Sequence, residues 1–195
     1  MKRGYTFTLV FMLIVAFAFA TVLALANFFA QPAIAANRQA AEQQALLYAF
    51  DIPVDTNDRA AVEATVEKYV KEVETPDLTY YEYTDDSGQV AGYAVPYAGS
   101  GLWGAIEGYL AVTPDFEKLL GIVFTSQNET PGLGGRIDEE WFKDQFRGQS
   151  ITSAVDYGEG IDAITGATSS STAVIRIVND TVADEIKALE AVLNG

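Results

Sequence analysis

The feature that most constrains this chain is an uncharged apolar run near its start. From Tyr5 to Ala30 there is no charged residue, and most side chains are apolar or small. A helix rises about 1.5 Å per residue, so ~20 such residues cross the hydrocarbon core of a bilayer. The run therefore predicts one N-terminal transmembrane helix, and the rest of the chain must build its own core.

Charge on either side of the run predicts its orientation. Lys2 and Arg3 precede it, and the first acidic residue is Glu42. Basic residues next to a span tend to stay on the cytoplasmic side. We therefore expect a cytoplasmic N-terminus, a single pass through the cytoplasmic membrane, and the main domain on the extracytoplasmic side.

A cleaved secretory signal is the alternative interpretation of the same run. The segment Ala33-Ile34-Ala35 has the small residues of a cleavage site. The apolar part of a signal peptide is usually about 7–15 residues long, which is shorter than this run. Length therefore favours a retained anchor, and both interpretations export the rest of the chain.

Composition excludes several classes of function for the exported part. Without Lys2 and Arg3, ten basic residues remain against 27 acidic ones, a net charge of −17. Such a charge disfavours nucleic acid, whose binding depends on Lys and Arg. The chain also has no cysteine and no histidine. This rules out disulfides, Cys-ligated iron–sulfur clusters, the common zinc sites and histidine-dependent triads. Redox chemistry would therefore depend on an organic cofactor.

Local periodicity predicts an α+β fold, an antiparallel sheet with packed helices, preceded by one transmembrane helix. Helices are expected where apolar residues recur at helical spacing, and strands where the period changes to two. The expected helices are Asn37 to Phe50, Asn57 to Glu74, Asp138 to Phe146 and Ser169 to Leu193. The expected strands are Tyr80 to Tyr83, Val90 to Val95, Ala105 to Thr113, Leu119 to Ser126 and Ile161 to Ile164, with a hairpin turn at Asp85 to Gly88.

The most informative segment directly precedes the expected terminal helix and reads Asp162-Ala163-Ile164-Thr165-Gly166-Ala167-Thr168. Helix N-termini expose unpaired N–H groups and a partial positive charge, which suits a phosphate. Gly166 leaves room for a bulky group, and Thr168 supplies a hydroxyl there. Ser and Thr are also ordinary helix caps, so the pattern alone leaves both interpretations open.

This segment resembles the flavinylation motif of the FMN-binding domain shared by the G subunit of the Rnf complex and the C subunit of the sodium-translocating NADH:quinone oxidoreductase. The resemblance implies that Thr168 carries FMN through a phosphoester, delivered from FAD by a separate flavin transferase. It assigns Asp162, Thr165, Gly166 and Ala167 to the recognition sequence.

Two further segments resemble the same family. Residues 128–134 are similar to its Glu-Thr-Pro-Gly-Leu-Gly loop, and residues 99–104 to its Gly-x-Gly-Leu-Trp turn. Each segment taken alone could be a simple glycine turn, and Trp103 could be a core residue. The resemblance implies that both segments lie beside the flavin, and it adds to the cofactor site Glu129, Thr130, Leu133, Gly134, Gly101 and Trp103.

The resemblance implies a membrane-anchored, extracytoplasmic electron-transfer subunit with covalent FMN, part of an ion-translocating oxidoreductase complex. Its partners would be other membrane subunits and the flavin transferase, and it would need neither a metal nor a catalytic acid or base. The alternatives are a free-standing tethered flavoprotein without a pump, and an anchored adaptor with an unmodified threonine. The Gly-Leu-Trp turn favours the quinone-reductase branch and the short chain favours the Rnf branch, so both stay open.

The resemblance also implies a division of the chain into three parts. We expect a cytoplasmic tip and transmembrane anchor over residues 1–36, a helical stalk over 37–75, and the FMN-binding domain over 76–195.

Overall fold

A computed structural model describes residues 4–158 and 160–194 of the chain. The chain divides into two units, Met1–Gln39 and Ala40–Gly195. Its helices are α1 (Tyr5–Ala49), α2 (Arg59–Tyr69), α3 (Glu140–Asp144), α4 (Thr168–Thr181) and α5 (Lys187–Asn194), with a 3-10 turn at Gly134–Asp138 and a π-helical turn at Val182–Ile186. Its strands are β1 (Val70–Glu74), β2 (Thr79–Thr84), β3 (Val90–Ser100), β4 (Ala105–Val112) and β5 (Leu119–Ser126).

The first unit is helical from Tyr5 onward, as the apolar run predicts. Almost every side chain of residues 4–39 is exposed, including large apolar ones such as Phe17, Leu23 and Phe28. Exposed apolar side chains around a whole helix match a lipid environment, in which all backbone polar groups bond within the helix. Of the helices that the structure describes, α1 is the one long and apolar enough to cross a membrane.

The second unit is built on a five-stranded antiparallel sheet. The strands lie in the order β1-β2-β3-β4-β5, and each pairs with the next one in the chain. The predicted hairpin turn between β2 and β3 is confirmed. There the Asp85 carboxylate accepts hydrogen bonds from the N–H groups of Ser87, at 2.8 Å, and Gln89, at 3.1 Å. The α+β architecture with an antiparallel sheet and packed helices is thus as expected.

Both faces of the sheet are covered, because successive side chains of a strand point to opposite faces. Leu110 of β4 lies in the cluster that includes Val174 and Val178 of α4. Its neighbour Ala111 lies in a second cluster, with Ala49 of the C-terminal end of α1. The sheet therefore lies between the last turns of α1 on one face and α4 with its continuation on the other.

The predicted second helix was too long. Helix α2 begins at Arg59, and Asp58 rather than Asn57 caps it by accepting hydrogen bonds from two N–H groups of its first turn. It ends at Tyr69, and the valines that follow belong to β1, where Val73 pairs with Tyr80. Valine is β-branched and favours strands once a partner strand is present, which helical spacing along one segment cannot reveal.

The prediction of a strand over Ile161 to Ile164 was wrong. Ile161 and Ile164 are both fully buried in the core, although residues three apart in a strand would face opposite sides. Two backbone N–H groups of this segment bond to side chains instead. Asp162 donates to Oε1 of Gln145 at 2.8 Å, and Ile164 donates to Oγ of Ser171 at 3.1 Å.

The predicted terminal helix is present with two differences. It begins at Thr168 rather than Ser169, and a π-helical turn separates α4 from α5. The predicted apolar face is buried at every position except two: Val182 is half-buried and Leu193 is exposed. The buried members of that face are Ala173, Val174, Ile177, Val178, Ile186 and Leu189.

Candidate functional site

An open cavity of about 480 Å³ lies where the β3–β4 turn, the loop after β5 and the first turn of α4 meet. Three large apolar side chains on its wall are unusually exposed: Trp103 at 68%, Leu102 at 56% and Leu133 at 49%. Ligand sites typically measure ~300–1,000 Å³ and are lined mainly by apolar side chains. We call this space the apolar cavity; it is lined by Leu102, Trp103, Glu129, Thr130, Leu133, Gly134, Gly166, Ala167, Thr168, Ser169 and Ser170.

Thr168 is the first residue of α4, and its exposed side chain lines the apolar cavity. The residue before it, Ala167, occupies the capping position and offers no side-chain hydrogen bond to the helix. The first N–H groups of a helix have no acceptor within the helix and carry a partial positive charge. The Thr168 hydroxyl therefore lies beside a helix end that favours an anion such as a phosphate.

The turn that leads into α4 is held by its own hydrogen bonds. The N–H of Ala167 donates to the carbonyl of Ile164 at 2.9 Å, which closes the turn. Gly166 within it has a φ of +83°, in the left-handed region that favours glycine. Ser171 lies one helical turn further on, and its hydroxyl donates to the carbonyl of Ala167 at 3.1 Å. The turn therefore has one defined arrangement in front of the helix.

The loop after β5 is likewise held by bonds within itself. The side chain of Gln127 accepts from the N–H of Glu129 at 2.7 Å and donates to Asp138 at 3.0 Å. The carbonyl of Thr130 accepts from the N–H groups of Leu133, at 3.1 Å, and Gly135, at 2.9 Å. Leu133 therefore projects from a compact turn rather than from an open loop.

Just beyond this loop lies an exposed ion pair. Arg136 contacts Glu139 at 3.0 Å, and the hydrogen bond from this guanidinium lowers the pKa of the Glu139 carboxyl. The indole N–H of Trp141 also donates to Glu139. This cluster lies outside the lining of the apolar cavity.

Glu129 joins the three segments that form the apolar cavity. Its Oε1 accepts hydrogen bonds from the N–H groups of Leu102, at 2.7 Å, and Trp103, at 3.1 Å. Its Oε2 accepts from the hydroxyl of Ser170 at 2.5 Å. The residue is only 4% exposed. A carboxylate from the loop after β5 therefore connects the β3–β4 turn to the first turn of α4.

Two glycines make this position of Glu129 possible. A Cβ atom added at Gly101 would lie 2.5 Å from Oε1 of Glu129, and one added at Gly134 would lie 2.7 Å from Oε2. Both distances are shorter than real Cβ contacts allow. The structure thus places both glycines, which the sequence predicts beside the cofactor, against the Glu129 carboxylate.

The hydroxyl groups near the start of α4 differ in what they contact. Ser170 and Ser171 are buried and donate to Glu129 and Ala167. The Thr172 hydroxyl lies 3.3 Å from that of Tyr157. Thr168 and Ser169 are exposed, and both line the apolar cavity. Of the hydroxyls near the start of α4, exposure therefore leaves those of Thr168 and Ser169 at the apolar cavity, where a second molecule can reach them.

A second space of about 320 Å³, the arginine cavity, shares Thr168 with the first. Arg176, two helical turns after Thr168, lines it and donates through Nη2 to the carbonyl of Ser100 at 2.5 Å. Thr168 thus borders both the apolar cavity and the cavity that is lined by the positively charged side chain of Arg176. The lining of the arginine cavity is Gly101, Leu102, Thr168, Ser169, Thr172, Ala173 and Arg176.

Comparison with known proteins finds one family model that matches the segment containing both cavities. Residues 101–183 match the family model described as FMN-binding domain. Over this segment the chain is similar to the FMN-binding domain family. The matched segment begins at the β3–β4 turn, contains the loop after β5, and ends just beyond α4, so it includes every residue of both cavity linings.

Curated relatives that this chain matches are subunits of two kinds of complex. The C subunit of the Na(+)-translocating NADH-quinone reductase of Pasteurella multocida is 36% identical over 107 residues, 48% of this chain and 41% of the relative. The G subunit of the ion-translocating oxidoreductase complex of Methanosarcina acetivorans is 37% identical over 117 residues, 59% of this chain and 62% of the relative. The chain therefore spans about half the length of the curated relatives that it matches.

Solved structures show the same fold. NqrC of Shewanella oneidensis superposes with a TM-score of 0.65 and 22% identity, covering 78% of this chain and 99% of that one. The C subunit of the Na(+)-translocating NADH-quinone reductase of Parabacteroides distasonis gives a TM-score of 0.62 and 23% identity, with 79% and 94% covered. The chain thus shares the α+β fold of these two proteins. Sequence identities of 22% and 23% support a common fold and nothing further.

The structure brings together most of the residues predicted for the site. Thr168, Gly166, Ala167, Glu129, Thr130, Leu133, Gly134 and Trp103 line the apolar cavity, and Gly101 lines the arginine cavity. Trp103 is too exposed to be a core residue. Asp162 and Thr165 lie outside both linings, exposed at the surface of the segment that leads to Thr168.

Six residues of the two linings were not among the predicted site residues: Leu102, Ser169, Ser170, Thr172, Ala173 and Arg176. Leu102 contributes to both linings, and its place between Gly101 and Trp103 in the turn was the available signal. Arg176 lies on the face of α4 that the arginine cavity adjoins. A cation two helical turns after the motif threonine was visible in the sequence, but only the structure shows that both border the same space.

Proposed function

We propose that this chain is the covalently flavinylated electron-transfer subunit of an ion-translocating oxidoreductase complex, anchored in the cytoplasmic membrane. The observation that carries the proposal is the place of the Thr168 hydroxyl. It is exposed at the uncapped start of α4 and borders a cavity with three exposed apolar side chains. A phosphoester to FMN needs a reachable hydroxyl, an anion-tolerant environment and an apolar wall for the ring, and this place offers all three.

The residues of the apolar cavity fit FMN. The flat apolar ring system would contact Leu102, Trp103 and Leu133, whose exposure would otherwise cost free energy. The phosphate would be held at Thr168 by the first N–H groups of α4. In a transfer from FAD, the Thr168 oxygen would form a bond to the FMN phosphorus, the bond to AMP would break, and the hydroxyl proton would leave with AMP or solvent.

Bound FMN would accept and donate one or two electrons and would supply the redox chemistry of the site. The protein's own part is to bind and orient. Trp103 and Leu133 restrict the position of the ring and exclude water from part of it. The chain contains no histidine, and an electron relay needs no general acid or base from the protein. We therefore assign no catalytic residue to this chain.

Membrane attachment is the second part of the proposal. Helix α1 is long and apolar enough to span, and the relatives are named as subunits of ion-translocating complexes. Lys2 and Arg3 favour a cytoplasmic N-terminus, which would place the FMN-binding domain on the extracytoplasmic side. Anchoring raises the concentration of the domain around membrane partners, which favours repeated electron transfer within one complex.

Two measurements test the proposal. The full chain, produced in its native membrane with a flavin transferase, should gain the mass of FMN less water and should co-purify with other membrane subunits. A flavinylated chain that purifies alone from mild detergent would instead support the free-standing tethered flavoprotein. A chain that never gains flavin would support the unmodified adaptor and overturn the proposal.

A further inference from the structure

We propose that Glu129 is a positioning residue that holds the Leu102–Trp103 turn against the flavin attachment site. The inference rests on the proposed function, and it concerns how the apolar wall beside Thr168 keeps its arrangement. Glu129 is a buried carboxylate whose hydrogen-bond partners belong to two other segments of the site.

The first step is the nature of the turn that Glu129 binds. Residues 101–104 connect β3 and β4, and the turn is closed by a bond of 2.7 Å from the N–H of Gly101 to the carbonyl of Gly104. Leu102 and Trp103 at its tip are more than half exposed, so their side chains gain little from packing. Their N–H groups both donate to Oε1 of Glu129, and these bonds are what fixes the tip.

The second step is the link to the attachment site. Oε2 of Glu129 accepts from the hydroxyl of Ser170, two residues after Thr168 in the first turn of α4. One carboxylate therefore holds the tip of the turn and the start of the helix at a defined separation. Leu102 borders both cavities at Thr168, so movement of the tip would change the shape of both.

The third step concerns Gly101 and Gly134, the two glycines that lie against the Glu129 carboxylate. A Cβ would lie 2.5 Å from Oε1 of Glu129 at Gly101 and 2.7 Å from Oε2 at Gly134, so a side chain at either position would require the surrounding side chains to shift. The three donors to Glu129 are two backbone N–H groups and one hydroxyl, all of them uncharged. Glu129 thus acts by placing its two oxygens where these three groups can donate hydrogen bonds to them.

Acceptor geometry predicts different results for two substitutions. Glu129→Gln keeps Oε1 as an acceptor for Leu102 and Trp103, and its amide can donate to the Ser170 oxygen. Glu129→Ala removes every acceptor and leaves the two N–H groups without this partner. Glu107→Ala, which removes an exposed glutamate of β4, is the matched control.

The test uses the full chain in detergent with Trp141→Phe, which leaves Trp103 as the single tryptophan. In flavin-free protein, collisional quenching of Trp103 fluorescence reports the position of the turn. In flavin-loaded protein, visible circular dichroism reports the surroundings of the ring. Glu129→Ala should raise the quenching constant and change the flavin circular dichroism, whereas Glu129→Gln and Glu107→Ala should match the parent in both.

Two results would overturn the proposal: wild-type quenching in Glu129→Ala, or a Glu129→Gln protein as altered as Glu129→Ala. If Glu129→Ala does not fold, Glu129→Asp, whose oxygens are withdrawn by one methylene, takes its place with the same two outcomes. The quenching measurement needs no flavin. A parent protein that never accepts flavin would therefore refute the proposed function without deciding the role of Glu129.

Discussion

The Oγ of Ser171 accepts a hydrogen bond from the N–H of Ile164 at 3.1 Å and so ties the segment before α4 to the helix itself. The same hydroxyl donates to the carbonyl of Ala167. Both contacts are buried, and they span the residues that turn the chain toward Thr168. The segment that leads to Thr168 is therefore held by a buried side chain that lies outside both cavity linings.

Ser171→Ala should destabilise the protein and lower its flavinylated fraction. Loss of the hydroxyl leaves the buried N–H of Ile164 without this acceptor, which costs about 1–3 kcal/mol. Urea unfolding of the full chain in detergent and intact mass after co-production with the transferase measure the two effects. Ser169→Ala, an exposed position on the same helix, should unfold like wild type. Equal stability of the two variants would show that the Ser171 contact does not hold the segment.

Asp162→Ala should reduce flavinylation without reducing stability. The Asp162 side chain is exposed, and the hydrogen bonds that hold this residue run from its backbone to Gln145. It therefore remains available to the transferase, while removal of the carboxylate leaves the fold and the Thr168 hydroxyl in place. The flavinylated fraction at limiting transferase measures the effect. If Asp162→Ala is fully flavinylated, the Asp162 carboxylate is not needed for recognition by the transferase and its role is structural only.

Leu133→Ala should change the flavin's surroundings and leave the covalent bond intact. Leu133 is half exposed and borders the apolar cavity, so its removal opens the wall but not the core. The midpoint potential of the flavin and its rate of reduction in the assembled complex are the measurements. Val192→Ala, at a similarly exposed apolar position of α5, is the control. If both quantities stay at wild-type values in Leu133→Ala, Leu133 does not contact the ring.

Much of the fold was predictable from local patterns, because its contacts are mostly between neighbours in the chain. The antiparallel sheet follows chain order, and turns such as Asp85 to Gly88 carry their own hydrogen bonds. The errors arose where a partner outside the segment itself decides its structure. Strand β1 exists because β2 pairs with it, and Ile161 to Ile164 is irregular because Gln145 and Ser171 supply its hydrogen bonds.

In the candidate site, too, continuous motifs could be recognised in the sequence, whereas contacts between separate segments could not. The motif that ends at Thr168 was recognisable as a continuous segment, and so was the loop that contains Leu133. The role of Glu129 was not, since its donors lie 27 residues before it, at Leu102, and 41 residues after it, at Ser170. The sequence indicated that Glu129 belongs to the site, whereas its contacts with protein groups required the folded chain.

The apolar part of α1 should stay attached to the native protein. The uncharged run is longer than a typical signal peptide, and α1 continues as a helix through and beyond Ala33 to Ala35. Intact mass or Edman sequencing of protein purified from its native membrane decides this. A mature start at Ala36 or Asn37 would show that the helix is a cleaved signal rather than an anchor.

The most direct test of flavin attachment is a comparison of Thr168→Val and Ser169→Ala, each produced with the transferase. Both positions are exposed at the start of α4, so the change in stability should stay within about 0.5 kcal/mol. In-gel flavin fluorescence after denaturing electrophoresis, with peptide mass mapping, should show FMN on residue 168 in wild type and Ser169→Ala and no flavin in Thr168→Val. A fluorescent Thr168→Val band would contradict attachment at Thr168.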